Sequence, residues 1–132
     1  MLTSQVNLAV TNYNTFIGLL DKLHKRIEWH LQYFDERQSQ ITGEPLSDKS
    51  IISLSYHRLL DELSQLRKEF IDLGVSTKIH TDEVTRDDLK VYFSRYCELK
   101  SSLRRIYRNC GVLAKSVTKT LLIAERGTTS WN

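Results

Sequence analysis

The side chains able to do acid–base, metal or thiol chemistry are few and dispersed: His24, His30, His57, His80, Cys97 and Cys110. A zinc site needs Cys or His ligands at short, convergent spacing. Neither Cys-x-x-Cys nor His-Glu-x-x-His occurs. His24 and His30 are six residues apart, which puts them on different faces of a helix. The adjacent pairs Asp35-Glu36 and Asp87-Asp88 would diverge by about 100° on a helix, so neither is a paired-carboxylate site. There is no glycine-rich phosphate loop and no Gly-x-Ser-x-Gly elbow. The expectation is a non-enzymatic protein without metal or cofactor. Cys97 and Cys110 would stand about 20 Å apart on a common helix and cannot bridge within it. Free thiols fit a reducing compartment, so a cytoplasmic protein is expected.

Charge offers a second kind of chemistry. The formal net charge is +3, but residues 99–132 hold Lys100, Arg104, Arg105, Arg108, Lys115, Lys119 and Arg126 against Glu125 alone. Of these, Arg104, Arg105, Arg108, Lys115 and Lys119 are the candidate contacts to an anion or nucleic acid. Arg104, Arg108 and Lys115 share a helix face and could line a phosphate backbone. Aromatic interleaving, which stacking on bases requires, is limited to Tyr107. A solvated helix face explains the same charges.

The elements that must carry these residues are helices. Forty per cent hydrophobic and 27% charged residues, with a single Pro, place the chain among globular proteins rich in helix. At 132 residues it forms one domain with a core that needs no disulfide. No apolar run exceeds five residues, far below the ~20 that span a bilayer, and the first residues show no secretion signal. No membrane partner is expected.

Apolar residues recur every three and four positions in three stretches. The first runs Val6, Val10, Tyr13, Ile17, Leu20, His24, Ile27, Leu31, Phe34, with Ala9, Phe16 and Leu23 widening it. The second runs from Ile52 through Tyr56, Leu59, Leu63, Leu66 and Phe70 to Leu73. The third runs from Leu89 through Tyr92, Tyr96, Leu99, Leu103, Ile106, Cys110, Leu113 and Val117 to Ala124. Strand alternation is absent. Thr42-Gly43-Glu44-Pro45 ends the first helix, and Ser47 or Asp48 caps the second. Gly74 stands where a C-terminal glycine stop belongs. Thr85-Arg86-Asp87-Asp88 forms a capping box ahead of the third run, with Thr81-Asp82-Glu83 an earlier alternative. The reading is an all-α, elongated up-down-up three-helix antiparallel coiled-coil bundle in one domain, 1–126. Its helices cover about residues 4–40, 48–73 and 82–126, with a flexible tail over 127–132. A four-helix bundle results instead if the third helix breaks at Gly111.

The short middle helix cannot cover both long ones. Apolar stripes at Val6, Val10 and Tyr13, and at Leu113, Val117, Leu121 and Leu122, should therefore overhang and mark an interface. These residues are the candidate partner-binding set. The partner is expected to be an amphipathic protein segment packed helix-in-groove, and the same stripes would also serve a homo-oligomer. His24 is expected to hydrogen-bond across the seam, and Cys110 to be a small core side chain. Trp29 falls opposite the seam, either meeting a partner or lying under the loop after residue 41. Trp131 is either part of a loose tail or an aromatic docking peptide.

The stretch Leu59-Leu60-Asp61-Glu62-Leu63-Ser64-Gln65-Leu66-Arg67-Lys68, ending at Leu73-Gly74, resembles the second helix of the FlgN family of flagellar export chaperones. Asn109-Cys110-Gly111-Val112-Leu113, with Ser116-Val117-Thr118 and Leu121-Leu122, is similar to that family's C-terminal helix. The resemblance covers about residues 56–126. The chain departs from it in a basic third helix, an aromatic first helix and a longer 41–50 loop. It implies an export chaperone or adaptor in protein transport, gripping helical ends of hook–filament junction subunits around Leu113, Val117, Leu121 and Leu122. Arg26 and His30, one turn apart, are similar to the Arg-and-His pair of helical-bundle ribonucleases, but their spacing is shorter and the usual polar neighbour is missing.

Overall fold

The computed structural model describes residues 2–42 and 47–129, with side chains placed for 2–37 and 51–123. They form three helices, α1 (Leu2–Thr42), α2 (Ser47–Ser76) and α3 (Arg86–Thr129), and no strand occurs among them. Each helix packs against both others. The fold is the all-α three-helix bundle expected from periodicity. α3 runs unbroken through Gly111, so residues 112–126 do not turn back as a fourth helix. The 43–45 break, the capping side chains of Ser47 and Asp48, and Trp131 lie outside the described residues.

α1 and α3, at 41 and 44 residues, are about 60 and 66 Å long. α2 has 30 residues, about 45 Å. It is longer than its apolar run implied because it continues past Gly74 to Ser76. The glycine is therefore not the stop. Lys78 takes the left-handed position instead, at φ 58°, and the turn is closed by Thr77, whose amide and hydroxyl both donate to the Leu73 carbonyl. The connection 77–85 carries buried Ile79 and Val84, which cap the end of the core that α2 leaves open. α3 starts late, at Arg86 rather than near residue 82. The Asp88 amide donates to Thr85 Oγ1 (3.1 Å) and the Thr85 amide donates back to Asp88 Oδ2 (3.0 Å). This reciprocal box satisfies two amides at the helix start. The Thr85 amide is also what chiefly holds the Asp88 carboxyl below its usual pKa.

The core follows the expected stripes on α2 and α3 but is rotated on α1. Ala9, Phe16, Leu20, Leu23, Ile27 and Phe34 are buried, while Val6, Tyr13, Ile17 and Leu31 pack at its margin. His24 consequently leaves the seam. Its Nδ1 pairs with Glu28 Oε1 on its own helix at 2.5 Å, and the side chain is 41% exposed. A buried imidazole without a partner across the interface would cost desolvation, whereas turning Phe16 and Leu23 inward buries more carbon. Fully buried Phe70 centres an aromatic cluster with Tyr13, Phe16, Tyr92 and Tyr96, at ring separations of 4.3–6.2 Å. The buried Tyr92 hydroxyl is shared between Asn12 Oδ1 (3.0 Å) and the Ala9 carbonyl (3.3 Å), tying α3 to α1.

Candidate helix-docking groove

The overhang expected at both ends is largely filled. Val117 and Leu121 are only 6% and 8% exposed, because the C-terminal half of α1 lies against them. At the other end Val6 and Val10 are half-buried, and Tyr13 is held between Phe70 (4.9 Å) and His80 (4.7 Å) by the 77–85 connection. Leu113 is half-buried beside α2, near Leu59 and Val112. Only Leu122 of the seven stands largely in solvent, at 46%. Bare stripes would follow only if α2 were the sole cover. The two long helices in fact cover each other.

What remains open is the other side of the α1–α3 pair, away from α2. There Trp29, His30, Tyr33 and Arg37 of α1 face Ala114, Val117, Thr118, Leu121 and Leu122 of α3 across a groove of about 330 Å³. It leads into a second hollow of about 190 Å³ edged by Arg26, His30, Tyr107, Cys110, Gly111 and Ala114. Tyr56 of α2 lines both. At 2% exposure it belongs to the floor of both and not to their rim. Helical periodicity explains the walls. Arg26, His30, Tyr33 and Arg37 recur every three or four residues on α1, as do Tyr107, Gly111, Ala114, Thr118 and Leu122 on α3. The α3 wall is low because its middle is Gly, Ala and Thr. Apart from its chain neighbours and its own helix backbone, no atom lies within 4 Å of the Cβ position at Gly111. The α1 wall is tall and aromatic. Trp29 is 60% exposed and stacks on Tyr33 at 5.5 Å and 13°. Sequence reasoning singled out Trp29 but missed Tyr33 and the small-residue row, which carries almost no hydrophobic signal.

The cations of α3 run along the edge of this groove. Arg104, Lys115 and Leu122 are 11 and 7 residues apart, so the two cations stand in line with Leu122 at the edge of the α3 wall and do not themselves line the hollows. Arg108 and Lys119 each lie one turn further along and slightly outward; Arg105 points elsewhere. Among the described residues none of these five has a carboxylate partner. Ion pairs elsewhere include Asp21 with Arg67 (3.2 Å), Glu69 with Arg95 (3.6 Å), His24 with Glu28 within α1 and Arg95 with Glu98 within α3. Burial, with Arg26 alongside, lowers the His30 pKa, favouring the neutral ring. Burial raises the Cys110 thiol and holds the Tyr56 hydroxyl up at about 12.

A larger, separate hollow of about 880 Å³ lies at the opposite end of the α1–α3 pair, between Leu2, Gln5, Leu8 and Arg86, Leu89, Lys90, Phe93. Among the described residues no three His, Cys, Asp or Glu side chains converge on a metal position. Nor is any described helix long and apolar enough to cross a membrane. No family model matches the chain, and no curated protein or solved structure matches it significantly.

Proposed function

We propose that this protein is a non-enzymatic helical binding protein that docks an amphipathic helix of a protein partner between α1 and the C-terminal half of α3. The observation that carries this reading is the groove itself. Both walls repeat every three to four residues, which is the spacing a third helix needs to pack between two others. Small residues on one wall allow close approach, and exposed Trp29 and Tyr33 on the other are anchor types that dominate helix-in-groove binding. Val117 and Leu121 enter the site as its floor, and Leu122 as its edge. The resemblance of residues 56–126 to the FlgN family extends the proposal to export chaperoning, with the helical ends of hook–filament junction subunits as partners.

The test uses a synthetic helical peptide of about three heptads, with a leucine seam and uncharged glutamine flanks. In the Trp131→Phe protein, Trp29 is the only tryptophan and its emission reports burial. Saturable blue-shifted binding is expected. Trp29→Ala should weaken binding by about 2 kcal/mol, roughly thirtyfold, as read by calorimetry. Gly111→Leu fills the groove from a position where a side chain meets nothing. It should abolish binding without lowering the thermal midpoint. No binding by the parent protein overturns the proposal.

A further inference from the structure

Resting on that reading, we infer that the docked helix is acidic along the edge that meets α3, with Asp or Glu set against Arg104, Arg108, Lys115 and Lys119. Charge complementarity carries this. Between Leu99 and Ile123 the sequence has no Asp or Glu, so α3 supplies no anion to its own cations over that whole length. α1 does not supply one either among the described residues, whereas Arg67 and Arg95 elsewhere on the bundle are paired. Two of the four cations, Arg104 and Lys115, stand in line with Leu122 at the edge of the groove wall. The other two stand at its outer rim. A helix seated over the small residues therefore brings its flanking positions to these charges, where the e and g residues of a coiled coil sit.

The other occupants fit this surface less well. A second copy docked through this groove on a two-fold axis would set the cations against their own copies. A single-stranded nucleic acid would satisfy the charge, but it needs aromatic faces open for bases. Trp29 and Tyr33 each spend one face on the other.

The experiment compares three peptides that share one leucine seam and are stapled to equal helicity, with flanks of Glu, Gln or Lys. Trp29 emission in the Trp131→Phe protein is the readout. The Glu peptide should bind at least about tenfold more tightly than the Gln peptide at low salt, and the Lys peptide more weakly than either. The advantage should vanish near molar salt, where the Debye length falls to about 3 Å. Arg104→Gln with Lys115→Gln should shrink the ratio of Glu-peptide to Gln-peptide affinity at least about threefold, with Arg108 and Lys119 carrying what is left. Both positions are exposed, so the fold is not at stake. Equal affinity for Glu and Gln peptides overturns the acidic edge and leaves the groove reading standing. Failure of all three overturns both. Tighter binding of a single-stranded oligonucleotide than of the Glu peptide, or a dimer lost in the Trp29→Ala protein, also overturns the inference.

Discussion

The ring of Tyr13 fills the space into which any side chain at position 74 would project. A Cβ on Gly74 would lie 2.6 Å from Tyr13 Cε2, well inside contact distance. Tyr13 cannot retreat, since Phe70 is stacked on one side of it and His80 stands edge-on at another. Glycine is required there for a close approach of α1 to α2, and the end of α2 is made by other residues.

Two glycine substitutions should therefore have opposite signs. Gly111→Ala meets no atom and replaces the poorest ordinary helix former, so it should stabilise by about 1 kcal/mol. Gly74→Ala gains the same propensity but overpacks Tyr13, a cost of about 1–3 kcal/mol, and should be neutral to destabilising. Urea denaturation of both, and of Gly74→Ala in a Tyr13→Ala background, checks this. The second protein should lose the clash, and an equal gain at both glycines in the parent would refute the account.

Phe70 touches four other aromatic rings and is fully buried. Phe70→Ala should cost about 3–5 kcal/mol, a large part of the stability of a domain this size. Phe70→Leu, which keeps most of the volume, should cost less. Chemical denaturation midpoints for the two variants give the comparison, and a Phe70→Ala loss under about 1 kcal/mol would contradict the packing described.

His30 should make stability depend on pH. Its folded pKa lies below the ordinary value of 6.5, because burial and then Arg26 disfavour the charged ring. The unfolded chain thus binds more protons between the folded value and 6.5, and stability rises with pH across that window. The contribution is complete above 6.5 and is lost as pH falls toward the folded value. His30→Gln should flatten this part of a stability–pH profile. An unchanged profile would assign the dependence to other groups.

The two thiols should react at different rates. Cys97 is exposed, whereas Cys110 is half-buried at the groove and burial raises its pKa, which leaves less thiolate. A thiol reagent at neutral pH should label Cys97 first, with Cys110 slower by at least about tenfold. A docked helix should slow Cys110 further without affecting Cys97. Mass spectrometry of time points resolves the two sites.

The class of fold and the core faces of α2 and α3 were legible because they depend on local periodicity alone. Thr85 and Asp88 were legible for the same reason, since a capping box closes within four residues. The facing of α1 was not, because two overlapping stripes competed for the core and only the shape of α2 and α3 together chose Phe16 and Leu23 over His24. The overhang failed as a guide for a related reason. Helix lengths taken one at a time do not show that Val117 and Leu121 meet α1, nor that Ile79 and Val84 plug the opposite end.

The amino-acid order alone determined the three helices, the basic character of α3 and the separation of the two cysteines, since each is a property of neighbours along the chain. Only tertiary structure placed Trp29, Tyr33 and Arg26 across from Gly111, Ala114 and Thr118, with Arg104 and Lys115 on the same edge. That juxtaposition joins residues about 80 positions apart. It exists because the long helices pack directly on each other and leave one side of their shared seam uncovered by α2, a consequence of three-body packing that no single helix encodes.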